Sequence, residues 1–208
     1  RDRRDIHHDL NANLYAIVKL PFGFEYQMNF TPRYHWYEYM NHESAEHPEW
    51  AGDGGRSERK NEKTFNWQVD NILRWKKEFG EDHRVEATFL QNAEKGQWWK
   101  TVAQNKLYSP SDILGFHNIG AGTAPSVSSE DTYKTGDALM GRLFYSFKDK
   151  YMLTASVRRD GYSAFGSMNP HAVFPAVALG WVFTSEKFME KTSDWLNYGK
   201  LRFSWGQN

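Results

Sequence analysis

The sequence predicts an all-β fold, an antiparallel up-and-down transmembrane β-barrel segment of about eight strands, on three observations. Apolar residues recur with period two in stretch after stretch, the connections alternate between short and long, and aromatic residues gather at the ends of the apolar rows.

The first stretch alternates Leu10, Ala12, Leu14, Ala16, Val18 and Leu20 with Asn11, Asn13, Tyr15 and Lys19 until "PFG" makes a tight turn centred on Gly23. The second sets Phe24, Tyr26, Met28, Phe30, Tyr34 and Trp36 against Glu25, Gln27, Asn29, Thr31, Arg33 and His35. Pro32 falls in that apolar row; lacking an N–H, it predicts an irregularity or an edge. The third carries Phe65, Trp67, Val69, Leu73 and Trp75 against Asn66, Gln68, Asp70 and Arg74. After "EFGEDH", the fourth carries Val85, Ala87 and Phe89 against Arg84, Glu86 and Thr88. The fifth places Leu139, Leu143, Tyr145 and Phe147 together, and "KDK" leads to the sixth, Leu153, Ala155 and Val157 against Thr154, Ser156 and Arg158. The seventh shows Val177, Leu179, Trp181 and Phe183, and the eighth Leu201, Phe203 and Trp205. "SEKFMEKTSDWL" has apolar spacing for about two helical turns at most.

The connections after strands one, three and five are tight, whereas those after two, four and six are long: Asn41 to Glu62, Glu94 to Tyr133 and Gly161 to Ala172. Short turns at one end and long loops at the other are the habit of outer-membrane barrels. Phe22, Trp75, Phe79, Tyr151, Trp181 and Phe183 fall at the short-turn end, and Tyr34, Trp36, Phe65 and Trp67 at the other, as two interfacial girdles would. Leu153, Val157, Leu179, Trp181, Leu201 and Phe203 are then expected to face lipid, with Arg142, Arg158 and Arg202 facing the lumen. The competing reading of the same alternation is a soluble β-sandwich, a secreted adhesin or carbohydrate-binding module.

Composition narrows the classes further. The 208 residues carry 26 basic and 26 acidic side chains, so the basic excess of a nucleic-acid binder is missing. Cysteine is absent, which removes disulfides and thiolate metal sites. No run approaches the roughly 18 apolar residues of a transmembrane helix. "RDRRDIHHDL" is no signal peptide and "LRFSWGQN" stops within a strand pattern, so the chain is expected to be a piece of a longer protein.

The stretches "GRLFYSFKDKYMLTASVRRDGYSAFG", "FPAVALGWVFTSEKFM" and "WLNYGKLRFSWGQN" resemble the barrel of SusC/RagA-type TonB-dependent outer-membrane receptors. The resemblance rests on Gly141 to Leu143, Tyr145, Lys148 to Tyr151, Arg158 to Gly161, Phe165, Gly166, Phe174, Pro175, Leu179 to Trp181 and Lys200 to Arg202. "DILGFHNIGAGTAPS" resembles the preceding loop, so the likeness is specific from Gly115 to Asn208 and only architectural before about residue 110. Tyr162, Ala176 and Trp205 depart from the family pattern. The resemblance implies a plugged barrel of about 22 strands, of which residues 1–208 form part of one domain. It also implies a bacterial outer-membrane location, a SusD-like surface lipoprotein, the TonB complex acting through a plug, and an oligosaccharide or peptide cargo.

Catalytic, cofactor and metal sites are not expected. "HESAEH" sets His42 and His47 five apart, not four, in a loop. "GAGTAP" has Pro125 where a dinucleotide fingerprint needs glycine. No serine stands in a nucleophile elbow. Trp98, Trp99 and Tyr108 are the candidate ligand or partner contacts, expected in the long Glu94–Tyr133 connection, where flat rings stack on sugars or anchor a protein. Packing under their own loop is the competing role. Arg142, Arg158 and Arg202 are expected to pair with acidic side chains or with the plug.

Overall fold

The computed structural model describes residues 2–165, 171–192 and 194–207; Gly166 and Asn208 of the family-like stretches lie outside them. Among the described residues the strands are β1 (Asp2–Asn11), β2 (Leu14–Lys19), β3 (Phe24–Glu43), β4 (Arg56–Phe79), β5 (His83–Lys106), β6 (Ser126–Phe147), β7 (Tyr151–Tyr162), β8 (His171–Trp181) and β9 (Leu201–Gly206). They form one sheet in the order β1-β3-β4-β5-β6-β7-β8-β9, with β2 also pairing β3. From β3 onward every ladder joins consecutive strands, and β1 and β2 both pair β3 as two halves of one interrupted strand, so the Greek-key crossings of a sandwich are missing from this order.

Two departures from the sequence reading have physical causes. The stretch Leu10–Leu20 is two strands, and the break at Ala12–Asn13 sits where β3 presents Pro32. The proline donates nothing, but its carbonyl still accepts from the Ala12 N–H at 3.1 Å. The strands are also longer than a membrane crossing requires: β4 and β5 run 24 residues each and β6 runs 22. The connections expected at Asn41–Glu62 and Glu94–Tyr133 therefore shrink to 44–55 and 107–125.

The chain divides into two compact units. One comprises Arg1–Ala12, Thr31–Trp67 and Lys95–Lys134; the other comprises Asn13–Phe30, Gln68–Glu94 and Thr135–Asn208.

The first unit is held by charge and rings. Tyr37 stacks on His7 at 4.5 Å and donates its hydroxyl to Asp5 at 2.8 Å. Arg3 lies 5.3 Å over Tyr39, and Lys60 lies 4.9 Å over Tyr37 while pairing with Glu62 at 3.1 Å. Such contacts satisfy strand faces that have few apolar side chains to bury.

The second unit shows the period-two rows at their clearest. Leu153 faces Leu179, which faces Phe203; Tyr151 faces Trp181, which faces Leu201. Two tight turns finish this unit's hairpins. Lys148 and Asp149 both take positive φ (53° and 51°), the geometry of a primed hairpin turn, and the Lys150 N–H donates to the Phe147 carbonyl at 3.0 Å. At the "PFG" turn, Gly23 (φ 84°) lies against β4, where an added Cβ would collide with the Lys76 carbonyl oxygen. The Trp75 indole donates to the Phe22 carbonyl at 3.1 Å, closing the same turn.

A soluble domain of 208 residues would hide a sizeable apolar core. Among the described residues the buried hydrophobics are only Ile72, Phe116, Ala138 and Val182. The large apolar side chains are outside: Leu179 is 52% exposed, Leu201 58% and Phe203 66%. A dry sandwich cannot be built on that distribution, which removes the adhesin alternative.

Candidate functional site

Three surfaces carry chemistry, one of them on the first unit and two on the second. The apolar face of the second unit is the simplest. Alternation along β7 puts Leu153, Ala155 and Val157 on one face and Thr154, Ser156 and Arg158 on the other. Tyr151, Trp181 and Glu186 knit the short-turn end, the Trp181 indole donating to Glu186 at 3.1 Å and the Tyr151 hydroxyl donating to the same carboxylate. The Tyr151 hydroxyl bond, followed by the Trp181 indole, holds the Glu186 carboxyl below its usual range.

The opposite, polar face of the second unit carries the three candidate arginines. Arg158 bonds Asp160 through Nε at 2.7 Å. Arg74 reaches Glu25 at 3.1 Å and Gln27 at 2.7 Å, and Asp70 accepts from Asn92 at 2.7 Å. Arg84 stacks 5.5 Å over Phe144 and lies 3.8 Å from Glu86. Arg142 and Arg202, in contrast, have no ion pair within 4.0 Å among the described residues.

The first unit holds a compact polar knot that sequence reading missed. His42 Nδ1 lies 2.9 Å from the Ser57 hydroxyl, and its Nε2 lies 3.5 Å from Asp112. Asp112 accepts the Ala45 N–H at 2.8 Å, and the Tyr108 ring meets His42 edge-on at 6.4 Å. Gly115 (φ 49°) closes over the imidazole, where an added Cβ would lie 2.6 Å from His42 Cγ. A serine, a histidine and an aspartate are thus brought together, yet Ser57 is fully buried, so no substrate carbonyl reaches its oxygen. The group is a clasp between the 44–55 and 107–125 connections. The backbone bond from Ala45, opposed by partial burial, holds the Asp112 carboxyl below its usual range, and burial pushes the Tyr108 phenol up. The signal in the sequence is faint: the three residues lie 15 and 55 positions apart along the chain.

Trp98 and Trp99 lie inside β5, both half-buried, rather than in a loop. As neighbours on a strand they point to opposite faces, so they do not form one platform. Lys100 sits 6.0 Å over the Trp98 ring. Tyr108 lies past the end of β5, bridged to Gly122 and half-buried. The exposed apolar side chains of the 107–125 connection are instead Leu107, Ile113 (86% exposed) and Leu114. His47, the second histidine of "HESAEH", accepts the Glu49 N–H at 3.3 Å, and "GAGTAP" begins at the end of a 3-10 segment, Gly115–Ala121, kinked at Asn118.

A family model described as TonB dependent receptor-like, beta-barrel matches residues 1–208. The chain belongs to the TonB-dependent receptor β-barrel family. TonB-dependent receptor P39 of Formosa agariphila is 33% identical over 143 residues, covering 68% of this chain and 14% of that protein. TonB-dependent receptor SusC of Bacteroides thetaiotaomicron is 33% identical over 116 residues, covering 54% of this chain and 10% of SusC. Among solved structures, the RagAB peptide transporter superposes with a TM-score of 0.85 at 19% identity, covering 98% of this chain and 23% of that one. The chain therefore spans under a quarter of each of these relatives, and its sheet is one segment of a larger TonB-dependent barrel. The exposed row Leu153, Leu179 and Phe203 lies on the sheet face opposite Arg142 and Arg202.

Proposed function

We propose that the whole protein imports an oligosaccharide across the bacterial outer membrane through a TonB-dependent barrel. A SusD-like surface lipoprotein closes its mouth, and the TonB complex acts on a plug outside residues 1–208. The observation that carries this reading is the sheet itself: a sequential antiparallel meander with an exposed apolar row and almost no dry core. In this reading Arg142, Arg158 and Arg202 face the wet lumen, since turning an arginine into lipid near the midplane costs about 2–4 kcal/mol.

The exposed Leu107, Ile113 and Leu114 suit contact with the lipoprotein, and Trp98, Trp99 and Tyr108 suit contact with cargo or partner. A peptide is the second reading of the cargo; RagAB is described as a peptide transporter, but at 19% identity that likeness speaks for the fold alone.

The test is binding of cargo and of purified lipoprotein to the full-length receptor carrying Trp98→Ala and Trp99→Ala. Loss of about 2 kcal/mol or more for either ligand is expected if the tryptophans anchor it. Both affinities staying within about twofold would assign the two rings to packing. Abolition of growth on the oligosaccharide when the TonB system is removed is the accompanying uptake result.

A further inference from the structure

One face of the first unit's sheet gathers cations beside aromatic rings. Residues paired across a ladder share a face, so Arg4 stands with Met40, and His8 stands with Trp36 four positions back along β3. Strand β4 extends both rows. Arg59 Nη2 lies 3.9 Å from the Met40 sulfur, and the Lys63 ammonium lies 5.6 Å over the Trp36 ring. The rows Arg4-Met40-Arg59 and His8-Trp36-Lys63 are thus about 13 Å apart along the strands. Tyr34 and Phe65, their rings 6.4 Å apart, continue the same face beyond the Trp36 row. The 107–125 connection bounds the other side, where the Arg4 guanidinium lies 5.5 Å over the Phe116 ring.

Arg4, Arg59 and Lys63 are exposed, and none has a carboxylate within 4.0 Å among the described residues. Between the rows stands Glu38, opposite Ile6 on β1, and it too has no cation within that distance among the described residues. Asp2 and Asp112 lie past the Met40 row, around His42, the first facing it across the ladder and the second 3.5 Å from its Nε2. The Trp36 indole N–H also lacks an acceptor among the described residues. The patch is therefore rich in donors and positive charge.

The opposite face of the same strands is neutralised from within. Arg3 pairs with Asp5 at 2.7 Å, Lys60 with Glu62 at 3.1 Å and Arg56 with Glu58 at 3.7 Å. On the import reading that face lines the lumen, where a plug would meet it, and the face with the rings looks outward. Strand β4 is hydrogen-bonded to β3 on one side and β5 on the other, so the strand neighbours of Arg59 and Lys63 are in place.

We infer, building on the import reading, that these two rows seat the headgroup of a bisphosphorylated glycolipid of the outer leaflet. Amphipathic rings such as Tyr34 and Trp36 sit at headgroup level, and cations just beyond them meet lipid phosphates. One phosphate on each row gives the arginines forked hydrogen bonds and the lysine a point-charge partner. Glu38 and Asn61, between the rows, supply an acceptor and an amide for the hydroxyls of the sugar that joins the phosphates. A phosphate without acyl chains gains nothing from the rings, which is why a lipid rather than a free anion fits.

The experiment is native mass spectrometry of the purified full-length receptor in detergent with lipid A bearing two phosphates and with the same lipid dephosphorylated. The phosphorylated form is expected to bind at least about tenfold tighter, the difference shrinking as salt rises. Arg59→Gln/Lys63→Gln should lose about that factor, Arg59→Lys/Lys63→Arg should keep the preference, and Lys60→Gln on the opposite face should stay within about twofold. Equal binding of the two lipids by the unaltered receptor overturns the inference without any variant having to fold. A preference retained by the double glutamine variant overturns it as well, as does an equal loss in Lys60→Gln. Displacement of the lipid by an equal concentration of inorganic phosphate would make this a free-anion site and refute the lipid. Oligosaccharide uptake by a receptor that shows no lipid preference defeats only this inference. Phosphate-dependent lipid binding by a receptor that imports no sugar defeats only the import reading.

Discussion

The two compact units draw on stretches of the same long strands, β3 to β6, and dress them differently. In the second, the side chains that face away from the polar groove are large, apolar and exposed. Of the exposed large hydrophobics, all but Leu10, Leu107, Ile113, Leu114, Val127 and Tyr133 belong to it. In the first, the same backbone is dressed with the ionic and ring contacts around His7, Tyr37, Tyr39 and Lys60. On the import reading the difference is one of solvent. A strand in lipid needs no side-chain partners beyond apolar character, whereas a strand in water with no core beneath it needs cross-strand pairs to stay ordered.

The largest test of that contrast is to remove the lipid. Produced alone in detergent-free buffer, these 208 residues are expected to aggregate, because the second unit presents its apolar row and the sheet has two open edges. Light scattering that shows a monodisperse, cooperatively unfolding monomer would break the comparison.

A charge placed in each unit sharpens it. In the full-length receptor folded in lipid, Leu179→Arg should cost about 2–4 kcal/mol in denaturant titration, whereas Val127→Arg on the first unit should stay within about 0.5 kcal/mol. Equal costs would mean that both rows meet the same solvent.

Glycine substitutions separate turn strain from solvent. Gly23→Ala meets both a positive φ and the Lys76 carbonyl, and should cost about 2 kcal/mol. Gly52→Ala, with nothing within 4 Å, should be close to neutral by the same titration.

The smallest effect is confined to the first unit. The lowered Asp112 pKa means that its clasp adds stability above the unfolded carboxylate value, and that this is lost as pH falls through the folded value. The Ala45 amide should therefore lose hydrogen-exchange protection, beyond the intrinsic pH trend, on acidification below about pH 4. Asp112→Asn should flatten that response, and a wild-type profile that stays flat would remove Asp112 from the clasp.

The second unit was the legible one. The rows Leu153–Val157, Val177–Trp181 and Leu201–Trp205 alternate without interruption, and "PFG" and "KDK" mark its turns, so strand identity, order and facing follow from period two. The first unit was misread in extent. Residues 56–63 and 95–106 alternate weakly because their faces are both polar, held by contacts such as Gln104 to Glu58 at 2.7 Å and Lys106 to Asp53 at 2.9 Å. Partners that lie 46 and 53 positions apart leave no periodic trace. The His42, Ser57 and Asp112 clasp was invisible for the same reason, and Trp98 and Trp99 were read as loop anchors because the strand around them is polar.

The chain-order pairing of the sheet has a consequence for how such barrels diversify. Each strand after β3 hydrogen-bonds only to its predecessor and successor, so a hairpin can be gained or lost without rerouting any other segment. Duplication of one two-strand unit would widen the circumference by about 10 Å, two ladder spacings, and leave every surviving contact intact. Pore calibre in this architecture is thus a quantity that recombination can adjust in small whole steps, separately from the charges that line the wall.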